Sequence, residues 1–268
     1  MQIVDAQIHL WAGGHAPPHH WRAPYTIASA LRDMQEAGID RAVNCPAIWD
    51  PGSNDYAAEA ASLHPGRFAT LGWFPLDGPA DESTIDRWLG MPGMLGLRFV
   101  LATPEAGRSL LTGDLDWLWV LANQREMPMG LMVMPQHLPA VGSIAARHPR
   151  MRLLIDHLSI GPFVKLPDAA AQFHALLALA RHPNVAIKAT GVPSMAPDSY
   201  PFASTHGLLR QAFDAFGAER MFWGSDITRL RCTLGECVRM FVEELPWLKG
   251  RDLERVMGGA VADWIGWR

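Results

Sequence analysis

Eight short β-type runs alternate with helical runs along the whole of this 268-residue chain. Such alternation is typical of a parallel sheet covered by helices. The length is close to the roughly 250 residues of one complete (β/α)₈ barrel, and a closed barrel leaves no sheet edge unpaired. We therefore predict an α/β fold, a (β/α)₈ TIM barrel, as a single domain over residues 1–268. The predicted strands are Ile3–Leu10, Ala42–Pro46, Phe68–Phe74, Leu95–Leu101, Met129–Met134, Met151–His157, Val185–Thr190 and Met221–Ser225.

Helix-ending signals separate the predicted strands. Thr26 is placed to cap a helix that stops at Gly38, and Asp114 is placed to cap a helix over Leu115–Glu126. The segment Ala169–Arg181 consists almost entirely of helix formers. Three His-Pro dipeptides each follow a helical run and precede a strand, where proline prevents further helix. They are His64-Pro65, His148-Pro149 and His182-Pro183, so these histidines have a structural explanation.

The charge balance argues against two classes of partner. The chain has 23 basic and 27 acidic residues, and neither sign forms runs, which disfavours nucleic acid and anionic membranes. No apolar stretch reaches the roughly 18 residues of a membrane span, and the first residues lack the features of a signal peptide. We expect a cytoplasmic protein whose partner is a small-molecule substrate. We interpret its cysteines as buried free thiols: Cys45, Cys232 and Cys237.

Polar side chains of the first predicted strand share the face that is expected to point into the barrel. Asp5, Gln7 and His9 alternate with the apolar residues between Val4 and Leu10, and the apolar set is expected to face the helices. Gln7 and His9 should therefore point into the barrel, with His9 near its mouth. In TIM barrels the active site lies at this end of the strands.

Four further strands carry charged groups close to their ends: Arg98, Asp156 with His157, Lys188, and Asp226. One such residue is more often structural than catalytic, because it can cap a loop or extend its charge to solvent. Five strands that each end in an ionisable or amide group are harder to explain in that way, since burial of an unpaired charge costs several kcal/mol. The set therefore predicts a functional site.

Five short motifs occur one after another along the chain: Asp5-Ala6-Gln7-Ile8-His9-Leu10-Trp11, Gly96-Leu97-Arg98, Asp156-His157-Leu158, Lys188-Ala189-Thr190-Gly191 and Gly224-Ser225-Asp226. In order and spacing they resemble the amidohydrolase superfamily, in particular the amidohydrolase-related (amidohydrolase 2) branch with its sugar lactonases and 2-pyrone-4,6-dicarboxylate lactonase. The resemblance implies a distorted TIM barrel. It also implies a site with a strand-one histidine pair, sometimes a strand-five histidine, a strand-six histidine and a strand-eight aspartate.

Two departures from the family pattern concern the metal. Gln7 stands where the first histidine of the strand-one pair is expected, and Met132 lies in the strand that can carry a further histidine. What remains for a metal is His9, His157 and Asp226, and three protein ligands with water can hold a catalytic Zn²⁺. An amide is a poor Zn²⁺ ligand beside imidazole, so we favour a metal-independent reaction, with a single zinc ion as the alternative.

These residues predict a hydrolase that acts on a small, carboxylated lactone or cyclic ester. Asp226 is expected to activate water, while His9, His157 and Gln7 stabilise the carbonyl oxyanion. An anionic substituent of the substrate would be held through charge-assisted hydrogen bonds. The two residues expected to hold it are Arg98 and Lys188.

Residues that follow the strand ends are expected to complete the pocket. The candidates are Trp11, Trp49 and Trp73 as walls against a flat ring, and His206 as a further contact. The remaining histidines of the strand-one loop are interpreted as exposed: His15, His19 and His20.

Two alternative functions stay open at this stage. One is a zinc-dependent decarboxylase or amide hydrolase of the same branch, and the other is a catalytically silent barrel that binds a small acid. The sequence has neither a G-x-G-x-x-G fingerprint nor a P-loop that would indicate a nucleotide cofactor.

Overall fold

The computed structural model describes residues 1–76 and 80–268. Eight parallel strands pair in chain order, from β1 to β8, with helices between them, which confirms the predicted (β/α)₈ TIM barrel. All eight predicted strands are present with somewhat shifted ends. They are β1 (Val4–Ile8), β2 (Arg41–Asn44), β3 (Phe68–Gly72), β4 (Met94–Leu101), β5 (Pro128–Val133), β6 (Arg152–Ile155), β7 (Val185–Thr190) and β8 (Met221–Gly224).

The helices of the described residues surround this barrel. They are α1 (Ile27–Ala37), α2 (Ser53–Leu63), α3 (Glu82–Leu89), α4 (Pro104–Thr112), α5 (Asp116–Gln124), α6 (Leu138–Arg147), α7 (Asp168–Leu177), α8 (His206–Phe216), α9 (Leu234–Val242), α10 (Gly250–Glu254) and α11 (Ala260–Ile265). Short 3₁₀ segments lie at Pro135–His137, Ala178–Arg181, Val192–Met195, Ala203–Thr205 and Ile227–Arg229, and a π-helical turn lies at Arg255–Gly259. A tight turn with left-handed backbone angles lies at Asp156–Ser159.

The predicted ends are confirmed for α1 but not for α5 or for the helix that begins near Ala169. Thr26 caps α1 by accepting a hydrogen bond from the Ser29 N–H at 3.2 Å, and Gly38 ends α1 in a left-handed conformation. The predicted cap at Asp114 is wrong, because α5 begins only at Asp116 without a side-chain cap, and the Asp114 carboxylate instead accepts the Thr112 hydroxyl. The segment predicted as one helix from Ala169 divides into α7 and the 3₁₀ turn that follows it.

A bulge in β1 changes the side-chain alternation predicted for that strand. Its register with β2 shifts between Asp5 and Ile8. Val4 and Ala6 belong to an apolar cluster with residues of β6, β7 and β8. Residues from opposite sides of a barrel can touch only through its interior, so this part of the prediction, that Val4 and Ala6 face the helices, is wrong. A bulge adds one residue to a strand, so the side chains beyond it change face.

Beyond the bulge, Gln7 and His9 do point into the barrel, as predicted. Ile8 and Leu10 pack on the other face, in the cluster that includes residues of α1. The bottom of the barrel is closed by α11, whose Val261 and Ile265 join the interior apolar cluster. The interior therefore has an apolar lower half and a polar upper half.

Asp5 connects β1 to the end of β8. Its carboxylate accepts the Ser225 backbone N–H at 2.7 Å, the Ser225 hydroxyl at 2.5 Å and the Gln7 N–H at 3.0 Å. The Asp226 N–H donates to the Gln7 carbonyl at 2.9 Å. Burial raises the pKa of Asp5 to about 6, although the hydrogen bonds from Ser225 oppose the rise. The first motif of the sequence thus contributes a structural carboxylate that joins the first strand of the barrel to the end of the last one.

No helix among residues 1–76 and 80–268 is long and apolar enough to cross a membrane.

Close packing at this junction generates a first prediction. A Cβ added at Gly224 would lie 2.6 Å from the Thr190 side chain and 2.9 Å from the Gln7 backbone nitrogen. We expect Gly224→Ala to lower the free energy of unfolding by about 1–3 kcal/mol, as overpacking does. The measurement is urea unfolding. Gly207→Ala is the matched control, because nothing lies within 4 Å of its added Cβ, and it should change stability by no more than about 1 kcal/mol. Equal effects of both substitutions would contradict the prediction.

Candidate active site

Six polar side chains from five strands converge at the carboxyl end of the barrel, and none is more than 5% exposed. This is the end at which the loops of a TIM barrel build active sites. The structure therefore brings together the polar residues that the sequence places at the ends of these strands. They are Gln7, His9, Arg98, His157, Lys188 and Asp226.

Asp156 binds both buried cations of the cluster. The Arg98 Nε donates to its Oδ2 at 2.8 Å, and the Lys188 Nζ lies 3.1 Å from its Oδ1. Burial alone would raise the pKa of Asp156, but Lys188 and Arg98 hold that pKa well below its usual range. Burial would likewise lower the pKa of Lys188, but Asp156 raises it above its ordinary value. All three groups therefore stay charged, and each compensates the burial of another.

Lys188 also orients Gln7. Its Nζ donates to the Gln7 Oε1 at 2.9 Å and lies 3.6 Å from the Cys45 Sγ. Because Oε1 accepts this bond, the Gln7 amide nitrogen is directed to the opposite side, 3.5 Å from the His9 Nε2 and 3.4 Å from the His157 Nε2. The Lys188 ammonium group thus has partners within the protein for its three N–H donors: Asp156, Gln7 and Cys45.

Asp226 is the carboxylate at the centre of the cluster. Its Oδ2 lies 3.1 Å from the Arg229 Nη1 and 3.6 Å from the His157 Nε2, and its Oδ1 lies 3.3 Å from the His9 Nε2. Burial would raise the pKa of Asp226, but His157, His9 and Arg229 together hold it well below its usual range. Asp226 is therefore ionised at neutral pH, although it is fully enclosed.

The backbone that carries His157 is strained. His157, Leu158 and Ser159 all have positive φ angles, of 52°, 54° and 57°. Such conformations persist only where surrounding contacts impose them, and here the Ser159 hydroxyl donates to the Val133 carbonyl at 2.8 Å. The ring Nδ1 lies 2.7 Å from the Thr190 hydroxyl. Burial lowers the pKa of His157 to about 3, so the imidazole is neutral at neutral pH.

His9 has a defined tautomer. Its Nδ1 lies 2.5 Å from the Cys45 carbonyl oxygen, which can only accept a hydrogen bond. Whenever the ring carries a single proton, that proton is therefore on Nδ1, and Nε2 presents a lone pair toward Asp226 and Gln7. A proton or a metal ion could occupy that position.

A cavity of about 360 Å³ lies directly over this cluster. Most of its lining is apolar, while its polar groups are histidines, one threonine and two arginines. The apolar lining residues are Pro17, Ile48, Trp49, Val100, Ala102, Met132, Met134, Pro162 and Phe163, and the polar ones are His9, His19, His20, Arg98, Thr103, His157 and Arg229. We call this space the inner cavity. Asp226 lies just beneath it, against three of the lining side chains.

Only some of the residues predicted to bind substrate reach the inner cavity. Trp49 and Arg98 line it. Trp11 is buried behind Trp49, with the ring centres 5.4 Å apart, and Trp73 donates its indole N–H to a side chain of α2. The His206 ring instead contacts a carbonyl of its own loop. The structure does not bring Trp11, Trp73 or His206 to the cavity. Gln7 and Lys188 are fully buried and are not among its lining residues either, although the Gln7 amide nitrogen contacts His9 and His157, which are.

His20 is a site residue that the sequence reasoning missed. The prediction of exposure is wrong for His20, which is 9% exposed, with its ring centre 5.1 Å from that of His9 and 4.7 Å from that of Trp49. The loop folds inward because the His20 Nδ1 lies 2.8 Å from the Thr228 hydroxyl and the Trp21 N–H donates to the Thr228 carbonyl. No local pattern in the sequence indicates this contact, which spans 208 residues.

The remaining loop residues have mixed outcomes. His15 is exposed as predicted, whereas His19 is half-buried and lines the inner cavity. Arg229 was also missed, although it follows Asp226 by one turn of a 3₁₀ helix. Its charged end is 3% exposed and pairs with Asp226. The cysteines are free thiols, of which Cys45 and Cys237 are buried and Cys232 is half-buried.

Three side chains could hold a metal ion. His9, His20 and Asp226 each offer a ligand atom within 4.8 Å of the others, so His20 takes the place that the sequence gave to His157. Both histidines have Nδ1 next to another oxygen, which leaves Nε2 free, and metal-binding histidines are commonly oriented in this way. The Asp226 Oδ1 has no hydrogen-bond partner among the described residues. This donor set fits Zn²⁺.

Comparison with known proteins shows which family the sequence matches. The amidohydrolase family model matches residues 4–260. An L-fucono-1,5-lactonase of Burkholderia ambifaria is 28% identical over 257 residues, which cover 87% of this chain and 83% of the relative.

Solved structures share the fold over nearly the full length. An amidohydrolase of Burkholderia multivorans crystallised with bound Zn has a TM-score of 0.85 at 20% identity, over 99% of both chains. A candidate 2-pyrone-4,6-dicarboxylic acid hydrolase of Pseudomonas putida has a TM-score of 0.80 at 18% identity, over 99% of this chain and 97% of the other.

The compensation of charge around Asp156 generates a second prediction. We expect Lys188→Met to lower the free energy of unfolding by about 3–5 kcal/mol, because removal of one partner leaves buried charge uncompensated. Urea unfolding followed by circular dichroism is the measurement. Lys249→Met removes an exposed lysine and should change stability by less than about 0.5 kcal/mol. A Lys188 variant as stable as this control would show that the buried network contributes little.

Proposed function

The chain belongs to the amidohydrolase family, and from that premise we propose that it hydrolyses a small, carboxylated lactone. The observation that carries the proposal is an ionised, fully buried carboxylate, Asp226, between two histidines beneath an apolar cavity. Its lactonase relative in Burkholderia ambifaria supports the lactone class. We propose that residues 1–268 act as one barrel domain.

Asp226 acts as the base in this proposal. A water molecule held beside Asp226 loses a proton to the carboxylate while its oxygen attacks the lactone carbonyl carbon. The ring C–O bond then breaks, and the proton passes from Asp226 to the departing ring oxygen, which yields the open hydroxy acid. The enclosed site removes water that would compete for Asp226 and strengthens its interactions.

Gln7 is the most firmly oriented donor for the carbonyl oxygen. Its Oε1 is held by Lys188, so its N–H groups are directed into the gap between the His9 and His157 Nε2 atoms. Oriented donors at this place stabilise the negative charge that develops on the oxygen. His9 can add a second donor only as the imidazolium, because its Nδ1 proton is used by the Cys45 carbonyl.

Arg98 is the proposed anchor for the substrate carboxylate. It lines the inner cavity, and its bond to Asp156 through Nε occupies one of five N–H donors. Lys188 takes a different role from the one that the sequence indicates: it keeps Arg98 and Gln7 in place through Asp156 and its own bond to the amide.

The alternative version of this site would contain a zinc ion. His9, His20 and Asp226 would hold the ion, and the Asp226 Oδ1 is a buried oxygen without a hydrogen-bond partner among the described residues. Bound zinc would supply a Lewis acid that polarises the carbonyl and lowers the pKa of water. We retain the metal-independent version, because Arg229 at 3.1 Å already neutralises Asp226 and would repel a divalent cation.

The base role of Asp226 gives a third prediction. Asp226→Asn should lower kcat by about 10²–10⁴-fold while leaving substrate binding nearly intact, because the amide keeps the shape but cannot accept the proton of water. Steady-state kinetics test this, with Asp252→Asn on the exposed surface as the matched control. Full activity in the Asp226 variant would exclude it as the base.

A fourth prediction concerns the substrate and the metal. In a pH-indicator screen, wild-type protein should hydrolyse carboxylated lactones faster than neutral lactones of equal size, and a chelator should leave the rates unchanged. Stoichiometric zinc whose removal abolishes hydrolysis would instead establish the zinc-dependent version. Thermal stabilisation by lactones without any hydrolysis would indicate a silent binding barrel.

A further inference from the structure

A second cleft opens directly next to the inner cavity. It has a volume of about 710 Å³ and lies between the loops that follow β1, β6, β7 and β8. We call it the outer cleft. The two spaces have four lining residues in common: His19, Pro162, Phe163 and Arg229. A molecule bound over Asp226 can therefore extend into the outer cleft.

The acidic groups of the outer cleft are already satisfied within the protein. The Asp198 carboxylate accepts the backbone N–H and the hydroxyl of Ser204. The Glu236 carboxylate accepts the N–H of Thr233 at 2.8 Å and its hydroxyl at 2.9 Å, as part of the capping box of α9. Both carboxylates keep their charge, but among the described residues neither forms an ion pair within 4.0 Å with Lys165, Arg229 or Arg231.

The cations of the outer cleft keep donors that can bind a ligand. Lys165 gives one of its three N–H donors to the Ser194 carbonyl at 2.6 Å. Arg231 is exposed, and the hydrogen bonds and ion pairs found among the described residues do not include it. Arg229 connects the two spaces, because its guanidinium pairs with Asp226 and lines both of them. The cationic side of the cleft therefore begins at the reacting centre and continues outward.

Part of the lining shared by the inner cavity and the outer cleft is apolar. Phe163 is 69% exposed, stands at the boundary of the two spaces and packs edge-to-face on His19, with ring centres 5.4 Å apart. Its position suits a hydrocarbon chain that leaves the inner cavity between Phe163 and Arg229.

We propose that the outer cleft is a subsite for a carboxylate carried on a chain attached to the lactone ring. The inner cavity takes the ring over Asp226, the chain passes Phe163, and Arg231 and Lys165 bind its terminal carboxylate. This inference rests on the proposed lactone hydrolysis and adds a second anion site to the one at Arg98. The substrate is accordingly longer than a single ring.

The test compares three δ-lactones whose side chain is butyl, carboxybutyl, or the neutral amide of carboxybutyl. Wild-type protein should show a KM about three- to tenfold lower for the carboxybutyl lactone than for the amide, and high salt should reduce that preference. In the double variant Arg231→Gln, Lys165→Gln, the KM for the carboxybutyl lactone should rise to that of the amide, with kcat and the butyl KM unchanged. Arg251→Gln, which removes an exposed charge on α10, is the matched control.

Binding without turnover separates this inference from the proposed function. The same lactones are titrated into Asp226→Asn protein, with and without the two outer substitutions, and followed by calorimetry. A carboxybutyl preference that depends on Arg231 and Lys165 supports the subsite even if wild-type protein hydrolyses none of the three. Equal KM and equal binding for the carboxybutyl and amide lactones would overturn the subsite. If all three lactones were still hydrolysed, that result would support the proposed function without the subsite.

Discussion

The compensation of charge inside the barrel is the constraint on which the rest of the site depends. Lys188 is completely buried in the interior, and an ammonium ion there is tolerated only because Asp156 balances it. The same carboxylate fixes Arg98, and the same ammonium orients Gln7. One ion pair thereby sets the direction of side chains in β1, β4 and β7, and one of these, Arg98, lines the inner cavity.

Much of the fold could be predicted from the sequence, because strand and helix patterns depend on local hydrophobicity and on residues such as Pro and Gly. The inward direction of Gln7 and His9 was predicted correctly, but simple alternation cannot reveal the bulge that produces it. Alternation failed at Val4 and Ala6 for the same reason. A register shift is a property of two paired strands, and one strand's sequence does not contain it.

The site could be predicted only as a set of residues. The sequence predicts that Arg98 and Lys188 are charged and buried, but it does not show that Asp156 pairs with both, so the positioning role that we propose for Lys188 cannot be inferred from it. His20 was missed for a related reason: its place depends on a contact with Thr228, far along the chain. Loops carry much of the chemistry in such barrels, and their positions are set by long-range contacts.

The junction between β1 and β8 has a consequence for the time at which the site forms. Asp5 and Ser225 are 220 residues apart, and His20 and Thr228 are 208 apart, so the closing contacts join the two ends of the chain. Contacts of such long range are slow to form. The candidate site therefore forms only after distant segments have come together: the His20 loop is held in place only once Thr228 lies beside it, and Asp226 is fixed only where the end of β8 meets β1.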